Sequence, residues 1–397
     1  MSSWTSLSQE VIDQIIDHLH DHSGSLGNCA LVERNWIPAS RYHLFWTVNL
    51  HKGSLFYNSN KNVPRVKRLL KLLNSPYSTI THDIREIALI FSLVDCEYLS
   101  YLVLRVTARL PGLRSLIFLP DPADSTWAWC DIESYEITCF DDEVDEFYAG
   151  FDESLSDWSD LTENFVRIVC SIPHLQQLKA TWIPKSEVGD LLLRPFPPHL
   201  GHLTVRALKP VMIRWWLADE KHIPIQSIEL HSIYPSEIPL IGTFLRTLGP
   251  SLLDLRVSFR GPRIETEDLF CVHVNLAYNV SLRSIEIGDV ALEPRRGGQV
   301  YFEWLFTMLS QIRASDIKRL KIWMHAGEAS LETFDWGRLD EILATPPLDN
   351  IEMLTFGTYV FDRHCDFLGG VIKFLPNYEG RIQVEYFESC DYAALQV

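Results

Sequence analysis

Apolar residues recur along this chain with two different periods, and the change between them divides it. Near the start, Leu7, Val11, Ile12, Ile15, Ile16 and Leu19 fall on one side of a helix, because residues three and four apart share a face. Wound at ~100° per residue, they cover roughly half the cylinder, wider than the ~100° stripe one core requires. This helix therefore predicts two contact surfaces. Ser8 is placed to cap it, with Gln9 and Glu10 in the first turn, where the helix dipole favours negative charge. A small apolar run, Cys29-Ala30-Leu31-Val32, then Trp36 and the pair Leu44-Phe45 follow. In all, 20 of the 44 residues from Leu7 to Leu50 are apolar, although segments this short rarely bury enough surface to fold alone. The surplus predicts a second surface to rest on, partly the rest of the chain and partly a partner.

From residue 84 onward the period shortens to alternation within a repeat, Φxx-Φ-x-Φ-xx-Φ, where Φ is apolar. Its copies start at Ile84, Leu113, Leu175, Leu200, Ile225, Leu252, Leu282, Ile317 and Ile351. The stretches between later copies read as helices: Glu237 to Thr247, Thr266 to Ala277, Val300 to Ile312 and Phe334 to Leu343. Each unit has one apolar face that it cannot bury alone, so neighbours must stack. A connecting helix is predicted over Val63 to Leu73, with Pro64 near its start, Pro76 beyond its end, and Lys67, Arg68 and Lys71 as its solvated face.

The first 50 residues resemble the F-box family, in the form common in mushroom-type fungi. The resemblance rests on Leu7, Glu10, Val11, Ile15 and Leu19 in the first helix, then Leu26, Cys29, Leu31 and Val32, then Trp36, Leu44 and Phe45. One position departs from the family: Ser8 stands where proline is usual, and serine can cap the helix that proline would preset. The alternative reading is a helical cap on a larger stack of repeats. Residues 81–397 resemble, more loosely, leucine-rich repeats. Those usually carry Asn or Cys after the strand, whereas Ile183, Leu208, Ile233, Val290 and Tyr359 stand here. The expected fold is α/β, a three-helix F-box (1–50), a helical connector (51–80) and an irregular leucine-rich-repeat-like solenoid (81–397); ordinary parallel strands in an α/β domain are the alternative.

The resemblance implies a non-enzymatic substrate-recognition subunit of an SCF-type cullin–RING ubiquitin ligase. The F-box would dock on the Skp-family adaptor, which carries the cullin, and the solenoid would bind a protein substrate. A scaffold that mediates protein–protein contacts without a ligase is the other reading. Side chains between the apolar strand positions point away from the core, and they offer a binding row: Lys179, Arg206, Glu229, His231, Arg256, Glu286, Lys321 and Trp323. Trp323 is the best single anchor, since Trp and Arg dominate binding hot spots.

Composition narrows the rest. With 397 residues, 47% hydrophobic and 22% charged, the chain reads as a folded soluble protein of one large or two to three ordinary domains. It has no apolar run of membrane-spanning length, and Met1 to Ser6 lacks the basic start of a secretory signal. None of the eight cysteines is spaced as CxxC, so free thiols in the cytoplasm or nucleus are expected. The net charge is −17, and residues 121–163 hold 15 acidic residues and no basic one, with eight interspersed aromatics. This acidic insert leaves the remainder close to neutral and disfavours nucleic acid as a partner. His18, His20 and His22 alternate rather than align, and Asp141-Asp142-Glu143 lacks the glycine of a calcium loop. No metal, cofactor or catalytic motif is indicated.

Overall fold

A strand with one apolar face needs neighbours, and parallel neighbours need a crossover between them. The chain makes such a strand at each of the nine places where the repeat predicts one. The computed structural model describes residues 7–20, 22–50, 62–76, 78–91, 96–120, 165–180, 196–206, 210–218, 225–259, 264–292, 302–325, 328–359 and 367–387. The acidic insert 121–163 lies outside them, as do Ile183 and Leu208. The chain divides into two compact units, Met1–Leu200 and Gly201–Val397. That division falls inside the predicted 81–397 region rather than at its start.

The first unit opens with three helices, α1 (Gln9–His18), α2 (Ser23–Val32) and α3 (Ile37–Trp46). α3 runs directly into β1 (Thr47–Asn49), and α4 (Asn62–Leu73) forms where the connecting helix is predicted. β2 (Glu86–Phe91), α5 (Cys96–Thr107), β3 (Ser115–Pro120), a helix covering 165–170 (α6) and β4 (Gln177–Ala180) follow. The four strands pair in parallel and in chain order. Register places Ile87, Leu116 and Leu178 side by side, and Leu89 beside Phe118 beside Ala180; all six are buried.

The second unit repeats the scheme more regularly. Its strands are β5 (His202–Arg206), β6 (Ser227–Ile233), β7 (Asp254–Phe259), β8 (Ser284–Ala291), β9 (Arg319–His325), β10 (Met353–Tyr359) and β11 (Ile382–Phe387). Between them run α7 (Pro210–Ala218), α8 (Ile238–Leu248), α9 (Ile264–His273), α10 (Glu303–Ser310), α11 (Trp336–Leu343) and α12 (Phe367–Phe374). One register row is Leu203, Ile228, Leu255, Ile285, Leu320 and Leu354. The next is Val205, Leu230, Val257, Ile287, Ile322 and Phe356, and every residue of both rows is 2% exposed or less. Burying each such side chain contributes roughly 1.5–3 kcal/mol before entropy. On the helical side, Phe334 packs edge to face with Phe302 and Trp336 and at a tilt with Phe306, and Trp336 meets Phe356 edge to face, contacts that favour aromatic pairs beyond their buried area.

Repeats of this kind must satisfy backbone groups where one strand hands over to the next. Here the backbone does so itself. The carbonyl of Gln226 accepts from the N–H groups of Leu253 and Asp254 at 2.7 and 3.0 Å. Leu253 does the same for Arg283 and Ser284, Arg283 for Lys318 and Arg319, and Lys318 for Glu352 and Met353. Arg85 and Arg114 repeat the pattern in the first unit. This ladder lies before the strands; after them, Ile233 and Val290 sit buried where an asparagine would be usual. Among the described residues, the asparagine that does enter the core is Asn279, fully buried, whose Nδ2 donates to the carbonyls of Leu245 at 2.8 Å and Gly249 at 3.1 Å. It closes the end of α8, where Gly249 takes the positive φ of +48° that glycine tolerates best.

Among the described residues, no helix is long and apolar enough to cross a membrane.

Candidate functional site

Two surfaces carry the predicted contact residues. On α1, Ile12 and Ile16 point inward to meet Leu26 from α2, and Leu19, Trp36, Ala39 and Leu44 pack around them. One stripe over, Leu7 and Val11 are 51% and 40% exposed, with Ile15 half-buried. Spacings of four put Leu7, Val11 and Ile15 in line, so the broad apolar side of α1 resolves into an inner and an outer stripe. At the end of α2, Leu31 and Val32 are 85% and 67% exposed. Phe45 is half-buried.

The module is held by few polar contacts. His43 Nε2 meets Asp17 Oδ1 at 2.8 Å, tying α3 to α1, and the Gln9 amide donates to the Asn35 carbonyl at 3.3 Å. Glu10 is fully in solvent; its own backbone N–H and the Ser8 side chain hold its carboxyl below the usual range. Of the residues assigned to adaptor contact, Leu26 (1% exposed) and Cys29 (9%) lie inside the module, and Leu19, Trp36 and Leu44 lean on its core. These positions hold the helices together. Leu7, Glu10, Val11, Leu31 and Val32 are the ones outside.

The second surface is the sheet face of the second unit that points away from the apolar rows. Register lines up Glu229, Arg256, Glu286, Lys321 and Thr355 across β6 to β10. Arg256 Nε reaches Glu286 Oε1 at 3.0 Å. The indole N–H of Trp323 donates to that same oxygen, and Lys321 Nζ stands 4.3 Å above the Trp323 ring while pairing with Glu385. His231 sits 3.6 Å from Glu229. Arg206 takes its place opposite His231. Lys179 lies on β4 in the first unit, half-buried and beside Ile117, so it is not part of this network.

Trp323 requires a correction. It points away from the apolar rows as alternation predicts, yet it is only 5% exposed. The reason is Gly357, its register partner on β10: a Cβ there would fall 2.1 Å from the indole. The ring lies down in the space glycine leaves, so Trp323 braces the face instead of projecting from it.

Residues that alternation also assigns to this face, but that the row omitted, include Asp254, Arg319 and Met353, one step earlier on their strands. They line an open depression with Leu253, Arg283, Lys318 and Glu352. Its charges pair across strands, Arg319 with Asp254 at 3.6 Å and Lys318 with Glu352 at 3.1 Å. The face as a whole offers fixed, mutually compensated charges on a rigid sheet, an arrangement suited to holding a surface. Among the described residues, no group of three or more His, Cys, Asp or Glu side chains could hold a metal ion.

Compared with family models and with curated proteins, the chain matches none.

Proposed function

We propose that this chain is the substrate-recognition subunit of an SCF-type cullin–RING ubiquitin ligase. In this reading residues 1–50 are an F-box that docks on the Skp-family adaptor, and the strand–helix repeats are an irregular leucine-rich-repeat-like solenoid that binds the target protein. The observation that carries it is the division of apolar residues in the three-helix module. Ile12, Ile16 and Leu26 suffice for its interior, and Leu7, Val11, Leu31 and Val32 are left in water. Large apolar side chains grouped on so small a module mark a protein-binding surface. The chain would do no chemistry of its own. It would hold a target lysine near the charged conjugating enzyme and so raise its effective concentration.

Purification of the intact chain and of a chain lacking residues 1–50 from the same cells tests this. The intact chain should bring down the Skp-family adaptor and cullin, and the truncated one should not. Equal recovery of the adaptor with both would move the docking surface elsewhere. Recovery of other partners with both, and of the adaptor with neither, would leave the chain a scaffold without a ligase.

A further inference from the structure

A sheet that is not closed leaves an edge strand bonded on one side only, and in the second unit that strand is β11. It pairs with β10, and among the described residues no strand lies beyond it. Register carries the buried rows into it: Ile382 lies beside Leu354, Val384 beside Phe356 and Tyr386 beside Thr358. The three β10 residues are 3% exposed or less, whereas Ile382 and Val384 are half-buried and Tyr386 is 49% exposed. Proteins blunt such edges with short strands, charges or proline. β1 is short, at three residues. β11 runs for six residues and contains no Lys, Arg or Pro. Its one charge, Glu385, is held by Lys321 Nζ at 2.5 Å.

This strand is also its own complement. Two copies that meet edge to edge about a two-fold axis through Val384, perpendicular to the sheet, pair in antiparallel fashion, and directly opposed residues share a face. On the inner face Ile382 then meets Tyr386 of the second copy, and the two Val384 side chains meet each other. On the outer face the Gln383 amide stands opposite the Glu385 carboxylate, a charge-assisted hydrogen bond. An axis through Glu385 would instead oppose two carboxylates, and one through Gln383 would set Tyr386 against Gly380, outside the strand. We propose that β11 is a dimer edge whose occupant is β11 of a second copy of this chain, antiparallel and centred on Val384. Leu368 on α12, 37% exposed, adds apolar surface on the helical side of the joint. Both outer faces point the same way, so the dimer presents the charged row of β6 to β10 twice along one surface.

Sedimentation of the intact chain over a concentration series tests the dimer. The parent should pass from monomer to dimer below about 100 μM, and Val384→Lys should raise the dissociation constant about tenfold or more. Because Val384 is half-buried, Tyr386→Lys serves as the companion variant. Its side chain is already 49% exposed, so it should keep the parent's unfolding midpoint while weakening the dimer to a similar extent. Cysteine trapping reads the register. Under mild oxidation Val384→Cys should yield a dimer whose disulfide maps to residue 384 of both copies, since opposed Cβ atoms lie within about 5.5 Å. Ile382→Cys should not, because it lies four residues out of register with its own copy. A parent that stays monomeric to about 100 μM, a dimer that both lysine variants retain, or equal trapping at 382 and 384 would overturn the proposal.

Discussion

The N-terminal module and the repeats of the second unit solve the same problem of burial in opposite ways. At one register row of the repeats, Ile228, Leu255, Ile285, Leu320 and Leu354 are all 2% exposed or less, whereas in the module Leu31 is 85% exposed and Val32 67%. Each repeat borrows its neighbours' apolar surface, so its own excess disappears into the stack. Three ten-residue helices cannot do this. Their interior closes around Ile12, Ile16 and Leu26, and whatever remains must find a partner or stay wet. A binding surface can therefore be located by asking where the stack ends and apolar side chains do not.

The sharpest way to break this contrast is Leu255→Asp. A carboxylate with no partner would be buried between β6 and β8, at a cost on the order of 4–5 kcal/mol or more. Denaturant unfolding should register that loss, and limited proteolysis should cut in strands well away from residue 255. Unchanged resistance would mean that neighbouring repeats do not share a core.

Glycines extend the comparison. Gly357→Ala should cost about 1–3 kcal/mol, because the added methyl meets the Trp323 ring, and tryptophan fluorescence should shift as the indole leaves its bed. In α2, a Cβ at Gly27 would have nothing within 4 Å. Gly27→Ala should therefore stabilise the module by about 0.5–1 kcal/mol through helix propensity alone, seen as a higher midpoint. A destabilising Gly27→Ala would show that the module is packed as tightly as the repeats.

The smallest effect belongs to an ion pair on the helices of the second unit. Arg338 grips Glu303 at 2.5 and 2.7 Å, and this hydrogen bonding holds the Glu303 carboxyl below its ordinary value of 4.5. With its folded value depressed, the pair contributes stability above pH 4.5, and that contribution is lost as pH falls through the folded value. Both side chains are 40% exposed or more, so the gain stays under about 1 kcal/mol. Glu303→Gln should thus be slightly less stable than the parent at pH 7, and the gap should close as pH falls below 4.5 and through the folded value. A gap that persists into acid would point to packing instead of charge.

Much of this architecture is legible in the sequence because alternation and register are the same fact seen twice. The leucine-like positions of the repeat, Leu255 and Ile285 among them, announce both strand and face. β1 and β11 escaped that reading for a physical reason. Thr47–Asn49 is too short to alternate and exists by pairing with β2. Ile382–Phe387 alternates but lacks the leading leucine, and it is half-buried or exposed along the residues described. Direction was also easier to read than depth. Parity places Trp323 on the outer face, but only the absent side chain at Gly357, 34 residues later in the sequence, lets the ring lie flat. In the module, an apolar pattern names Leu26, Cys29, Leu31 and Val32 alike, and helix packing separates the first two from the last two.

The central claim is that the exposed apolar residues of the module form the adaptor-binding surface, and calorimetric titration of the intact chain with a Skp-family adaptor tests it most directly. The comparison is between the parent and Leu31→Glu/Val32→Glu, whose side chains are already in water. The parent should bind, and the double variant should bind at least about 100-fold more weakly, with stability unchanged to within about 0.5 kcal/mol. Equal affinity for parent and variant, or no binding by a folded parent, would contradict the account.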